Sequence, residues 1–80
     1  MPDWVTNPDH RAVVAALTAL RVSAGLTQRA LATTMGMDHT VVAKIEMGQR
    51  RVTVVDLMDW CRAVGADPAA VVQKLADAQA

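Results

Sequence analysis

Four glycines punctuate this 80-residue chain, and each closes a run of apolar residues set at helical spacing. The runs end at Gly25, Gly36, Gly48 and Gly65, and a fifth follows Gly65. Each opens on a side chain able to accept from the unpaired N–H groups of a first helical turn: Asn7, Thr27, Asp38, Thr53 and Asp67. Pro8 and Pro68 occupy first helical positions, where a missing N–H costs nothing. Thr53 and Asp56 have the spacing of a capping box, with Asp in the place of the usual Glu. The punctuation predicts helices over 8–24, 27–35, 38–47, 53–65 and 67–78, within one domain spanning 1–80. The β-branched stretch Val52 to Val55 reads as a loop running into a helix, because turn signals and a 3.6-residue period surround it.

The buried stripes follow from the same period: Val13, Val14, Leu17, Leu20 and Val22; then Ala30, Leu31 and Met35; then Val42 and Ile45; then Leu57, Trp60, Cys61 and Val64; finally Val71, Val72 and Leu75. With two Trp and no Phe or Tyr the core is aliphatic. So small a domain needs efficient helix packing or a second subunit. An apolar content of 52% excludes a disordered chain, and no apolar stretch reaches the 18 residues of a membrane span. Met1-Pro2-Asp3-Trp4 lacks the basic and apolar regions of a signal peptide. The lone Cys61 cannot form an internal disulfide and lies on a core stripe, which suits a buried structural thiol in a reducing cytoplasm.

The centre of the chain carries the chemistry. Helices over 27–35 and 38–47 are separated by only Gly36-Met37-Asp38, the spacing of a helix-turn-helix unit. Gly36 supplies the positive φ that a sharp turn demands, and the small Ala32 allows close approach. Val42 and Ile45 anchor the second helix on the core. His39, Thr40, Ala43 and Lys44, at i, i+1, i+4 and i+5, then share its free face. Histidine can donate to or accept from a base edge, lysine can donate to guanine O6 and N7, and alanine can meet a thymine methyl.

Leu20-Arg21, Gly25-Leu26-Thr27-Gln28, Leu31-Ala32, Met35-Gly36-Met37, Val42-Ala43-Lys44-Ile45-Glu46, Gly48 and Leu57 together resemble the Cro and lambda-type repressor family, the xenobiotic-response-element (XRE) helix-turn-helix family. The resemblance covers about residues 12 to 67. It implies a five-helix lambda-repressor-like fold and a sequence-specific DNA-binding transcriptional regulator, a repressor or autoregulator, that binds a palindromic operator as a homodimer. The 38–47 helix would enter the major groove with His39, Thr40, Ala43 and Lys44 as its base-reading residues. Gln28 matches the position that opens the preceding helix and contacts phosphate or a base edge, with Arg29 beside it. Arg50 and Arg51 match a loop that runs along the DNA backbone. Arg21 and Glu46 match a partly buried salt bridge of structural purpose. Asp38 departs from the family's Ser or Thr, and Val41 stands where a small polar residue is common. The dimer contact is expected from Trp60, at the end of the 53–65 helix, with Val71, Val72 and Leu75.

Other chemistry finds no footing. One Cys and two His without HxxxH or CxxC spacing give no metal site, and no nucleophile–base pair or phosphate-binding loop marks an enzyme or a cofactor. His10 is expected as a solvated first-turn residue. Trp4 lies outside the matched region and could pack across the helices, into a dimer partner, or be disordered. Regulation is expected through concentration, competing operators or a partner protein, as in a bacterial or phage autoregulator. The alternative is an antitoxin bound to a toxin, or another protein-interaction module of the same fold with weak or no DNA binding. Eight basic residues balance eight acidic ones, yet the distribution is uneven. Residues 1–20 carry −1, residues 21–51 carry +3 and residues 52–80 carry −2. The basic excess coincides with the reading unit. Net neutrality argues against strong non-specific DNA affinity, not against a specific dimer.

Overall fold

Asn7 begins the first long helix: its Oδ1 accepts from the backbone N–H of Asp9 and His10 at 2.8 and 3.2 Å, with Pro8 next in line. The same local chemistry recurs along the computed structural model, which describes residues 2–79. Its helices are α1 (Asp3–Thr6), α2 (Pro8–Ser23), α3 (Gln28–Met35), α4 (His39–Glu46), α5 (Val54–Val64) and α6 (Pro68–Gln79). Strands are absent among the described residues. Thr27 caps α3 through Ala30 N–H, and Thr53 with Asp56 completes both arms of a capping box at α5, each bond 3.0 Å long. The five expected helices appear as α2–α6. The sixth element, α1, is a four-residue turn whose helix carries no side-chain cap. It is too short to show a period in sequence.

The core is a cluster of Leu17, Leu31, Ala32, Val42, Ile45, Leu57, Trp60 and Cys61, drawn from α2, α3, α4 and α5. Trp60 is its largest member and is fully buried. Its indole Nε1–H donates to the Leu17 carbonyl at 2.9 Å, which satisfies the one polar atom of the ring. This corrects the expectation that Trp60 belongs to a dimer interface: no part of it reaches the surface. Val22 is also corrected. It is 61% exposed, because it lies at the end of α2 beyond the arc that faces the core. Cys61 is buried, and burial with Asp67 nearby pushes its thiol pKa up, so it stays protonated and inert.

Packing orients the remaining face of α6. Val71 lies against the core cluster, while Val72 is 49% exposed. Leu75 is half-buried between two shallow clefts, one bounded by Ala16, Ala19 and Leu20, the other by Ala12, Val13 and Val72.

Candidate nucleic-acid interface

The reading unit is built on the α3–α4 turn. Gly36 adopts φ 70° and ψ 31°, and Met37 N–H donates to the Ala32 carbonyl at 3.0 Å, closing the end of α3. Asp38 then caps α4: its Oδ1 accepts from Thr40 N–H at 2.9 Å and from the Thr40 hydroxyl at 2.8 Å. Those two bonds, the backbone one foremost, hold the Asp38 carboxyl below the usual carboxylate range, so it is charged at neutral pH. Val42 and Ile45 are fully buried and fix the rotation of α4.

That rotation sorts the four candidate base-reading residues. Thr40 and Lys44, one turn apart, are exposed and form the outer ridge. His39 and Ala43 are half-buried along its flank. His39 Nδ1 lies 3.6 Å from the Asp38 carboxylate. The Thr40 hydroxyl spends its proton on Asp38 and presents acceptor lone pairs outward.

The backbone candidates fall in two groups. Arg29 is exposed near the start of α3, and Arg50 and Arg51 are exposed in the loop between α4 and α5. Arg50 Nη2 lies 3.8 Å from Asp56, a long contact that leaves the guanidinium free to swing. Gln28 is engaged elsewhere: its Nε2 donates to Glu46 Oε1 at 3.0 Å, which leaves one amide N–H for another acceptor. Glu46 is the hub of this corner. It also accepts from Arg21 Nε at 2.5 Å and Nη2 at 3.0 Å, while Arg21 Nη1 donates to the Leu26 carbonyl at 2.7 Å. The hydrogen bonds that the guanidinium donates to Glu46 raise its pKa further. The network ties α2, α3 and α4 together with side chains only 15% and 8% exposed for Arg21 and Glu46.

Sequence reasoning missed His10. It is not a solvated first-turn residue. Its Nε2 accepts the Val52 N–H at 3.1 Å, across 42 residues, and the Trp4 ring packs on it with centroids 5.2 Å apart. No local pattern announces a contact of that range. Among the described residues, no group of three His, Cys, Asp or Glu is arranged to hold a metal ion, and no helix is long and apolar enough to cross a membrane.

A close two-helix unit with a left-handed Gly turn, a buried anchor and an outward ridge defines a helix-turn-helix protein, and a family model described as a helix-turn-helix domain matches residues 12–75. Three solved structures extend the likeness. The XRE-family like protein of Pseudomonas syringae pv. tomato str. DC3000 is 36% identical, over 90% of this chain and 88% of that one, with a TM-score of 0.86. The clp gene regulator ClgR of C. glutamicum is 30% identical over 92% and 96%, with a TM-score of 0.78. The restriction-modification controller protein C.AhdI of Aeromonas hydrophila is 31% identical over 81% and 98%, with a TM-score of 0.73. No curated protein sequence matches. The chain belongs to the XRE family of helix-turn-helix proteins, a family of DNA-binding transcription regulators.

Proposed function

We propose that the protein binds a palindromic operator as a homodimer, with α4 in the major groove, and represses or autoregulates transcription there. The observation that carries this reading is the outward ridge of α4: Thr40 and Lys44 are exposed while Val42 and Ile45 hold the helix from beneath. Lys44 donates to guanine O6 and N7, Thr40 accepts from a base amine, and His39 and Ala43 read the adjoining edges. Arg29, Arg50, Arg51 and the second amide N–H of Gln28 take phosphate oxygens, which set register without reading sequence.

Dimerisation is assigned to α6, through Val72 and Leu75 with Val71 supporting them from within. A two-fold dimer that reads a palindrome in this way holds its two α4 helices about 34 Å apart, the spacing of successive major grooves. The test is a gel-shift of the purified protein on DNA from upstream of its own gene, with light scattering of the free protein. A specific shift and a dimer at tens of micromolar are expected. No specific shift at low salt, together with tight retention of a neighbour-encoded protein, would overturn the reading.

A second reading has one specific support. The Asp38 side chain is 67% exposed and charged at the N-terminus of α4, where phosphates would approach. A carboxylate there suits an antitoxin or other protein-interaction module of this fold, and it is repelled by a duplex unless it accepts from a cytosine amine.

A further inference from the structure

The loop that carries Arg50 and Arg51 has one long-range polar tether at its far end, and the tether is titratable. Val52 N–H donates to His10 Nε2 at 3.1 Å. For Nε2 to accept, the ring must be neutral with its proton on Nδ1. The Trp4 ring of α1 packs on the imidazole, at 5.2 Å between ring centroids and an interplanar angle of 59°. The ring therefore touches both the N-terminal turn and the segment that follows the two arginines. Val52 itself is half-buried and packs on the core cluster, so the bond joins the end of the loop to a fixed point of the fold.

We propose that His10 is a positioning residue for DNA binding: its neutral imidazole pins the loop bearing Arg50 and Arg51, and its protonation releases that loop. The inference rests on the reading that Arg50 and Arg51 meet the DNA backbone. A proton taken from solvent occupies the Nε2 lone pair, and the imidazolium then confronts the Val52 N–H as donor against donor. The charged groups around the ring do not favour the cation. Arg51, on the loop, opposes it directly. Glu46, at the end of α4, lines the same groove but is already held by Arg21 and Gln28. On α2 itself Asp9 and Arg11 flank His10 in sequence and offset one another, and α1 contributes Asp3 as its one ionisable group.

Burial and then Arg51 hold the His10 pKa below its ordinary value of about 6.5. The sign follows. Above about pH 6.5 both folded and unfolded forms are neutral and the latch is fully formed. As pH falls from there toward the lowered pKa of the folded form, the unlatched form, whose ring binds the proton more readily, gains population.

The test compares wild type with His10→Ala, which differ at no other position. In DNA-free protein, the Val52 amide resonance of wild type is expected to move upfield with the His10 ring resonances as pH falls below about 6.5. In His10→Ala it should stand at the released position at every pH. At pH 7.5 the variant should bind operator and random duplex about 2- to 10-fold more weakly, the loss expected for one neutral hydrogen bond. The wild-type advantage should shrink as pH falls through the lowered pKa of His10. Circular dichroism verifies that the variant is folded. If it is not, the wild-type Val52 and His10 titrations alone decide, and a Val52 amide that ignores the His10 titration overturns the latch. Parallel pH profiles for DNA binding by the two proteins overturn the positioning role. The double variant Arg50→Ala with Arg51→Ala separates the layers. If it weakens DNA binding while His10→Ala does not, the His10 inference is wrong. If it binds as wild type does, the reading of the loop has failed instead.

Discussion

Breaking the Arg21–Glu46 pair tests whether it is a desolvated structural device. Glu46→Leu removes the acceptor of three hydrogen bonds, two from Arg21 and one from Gln28. The guanidinium left behind is 15% exposed and keeps only the Leu26 carbonyl. Stranding one partner of a fully buried pair costs about 3–5 kcal/mol. Residual exposure and the surviving carbonyl contact place this case near the lower end, at about 3 kcal/mol. Total stability for a domain of this length is about 4–12 kcal/mol, so the loss is a large fraction of it. Arg21→Met should cost a similar amount, by stranding the carboxylate. The double variant Arg21→Met with Glu46→Leu strands neither charge, so it should cost clearly less than either single change, a coupling of more than about 3 kcal/mol. Urea unfolding at one fixed protein concentration measures all four proteins. With a slope of about 1 kcal/mol/M, each single change lowers the midpoint by about 3 M. Raising salt should barely alter the coupling, because the pair is shielded from mobile ions. A single-variant cost below about 1 kcal/mol, or costs that simply add in the double variant, would refute the argument.

The remaining expectations concern the reading face, the dimer and the turn. Lys44→Ala should relax base preference at one operator position with little change in stability, whereas Arg50→Ala with Arg51→Ala should weaken all duplexes alike and flatten the salt dependence of binding. Unchanged operator choice in Lys44→Ala, measured by competition gel-shift, would refute the assignment of the α4 ridge. Val72→Asp should shift the protein toward monomer in light scattering while its unfolding curve at matched low concentration holds. Trp60→Phe should lower stability by about 1–3 kcal/mol through the lost Nε1 bond and the void it leaves, without shifting the monomer–dimer equilibrium. Gly36→Ala should cost about 1 kcal/mol by urea unfolding: a Cβ there meets no atom within 4 Å, so only the positive φ is penalised. A neutral result would mean that the turn relaxes out of the left-handed region.

Nearly all of the helical framework was legible from residues a few positions apart. Asn7, Thr27, Asp38 and Thr53 bond N–H groups two or three residues onward, and Gly36 and Gly65 close helices in the left-handed region. These are local events, so local sequence specifies them. The paired exposure of Thr40 and Lys44 over buried Val42 and Ile45 follows from helical geometry alone. The short α1 left no trace because four residues complete barely one turn.

What the sequence determined by itself is the punctuation: where helices start and stop, which face of each is apolar, and where positive charge accumulates along a chain of zero net charge. Tertiary structure decided which of those faces meet. Trp60 went wholly inside because α5 packs on α2 and Leu17 supplies an acceptor 43 residues away. Gln28 was drawn to Glu46, and His10 to Val52, by contacts spanning 18 and 42 residues. Such pairings depend on the summed packing of several helices, and no window of neighbouring residues contains that sum. The α6 stripe was divided by the same cause: Val71 turned to the core, and Val72 was left facing outward.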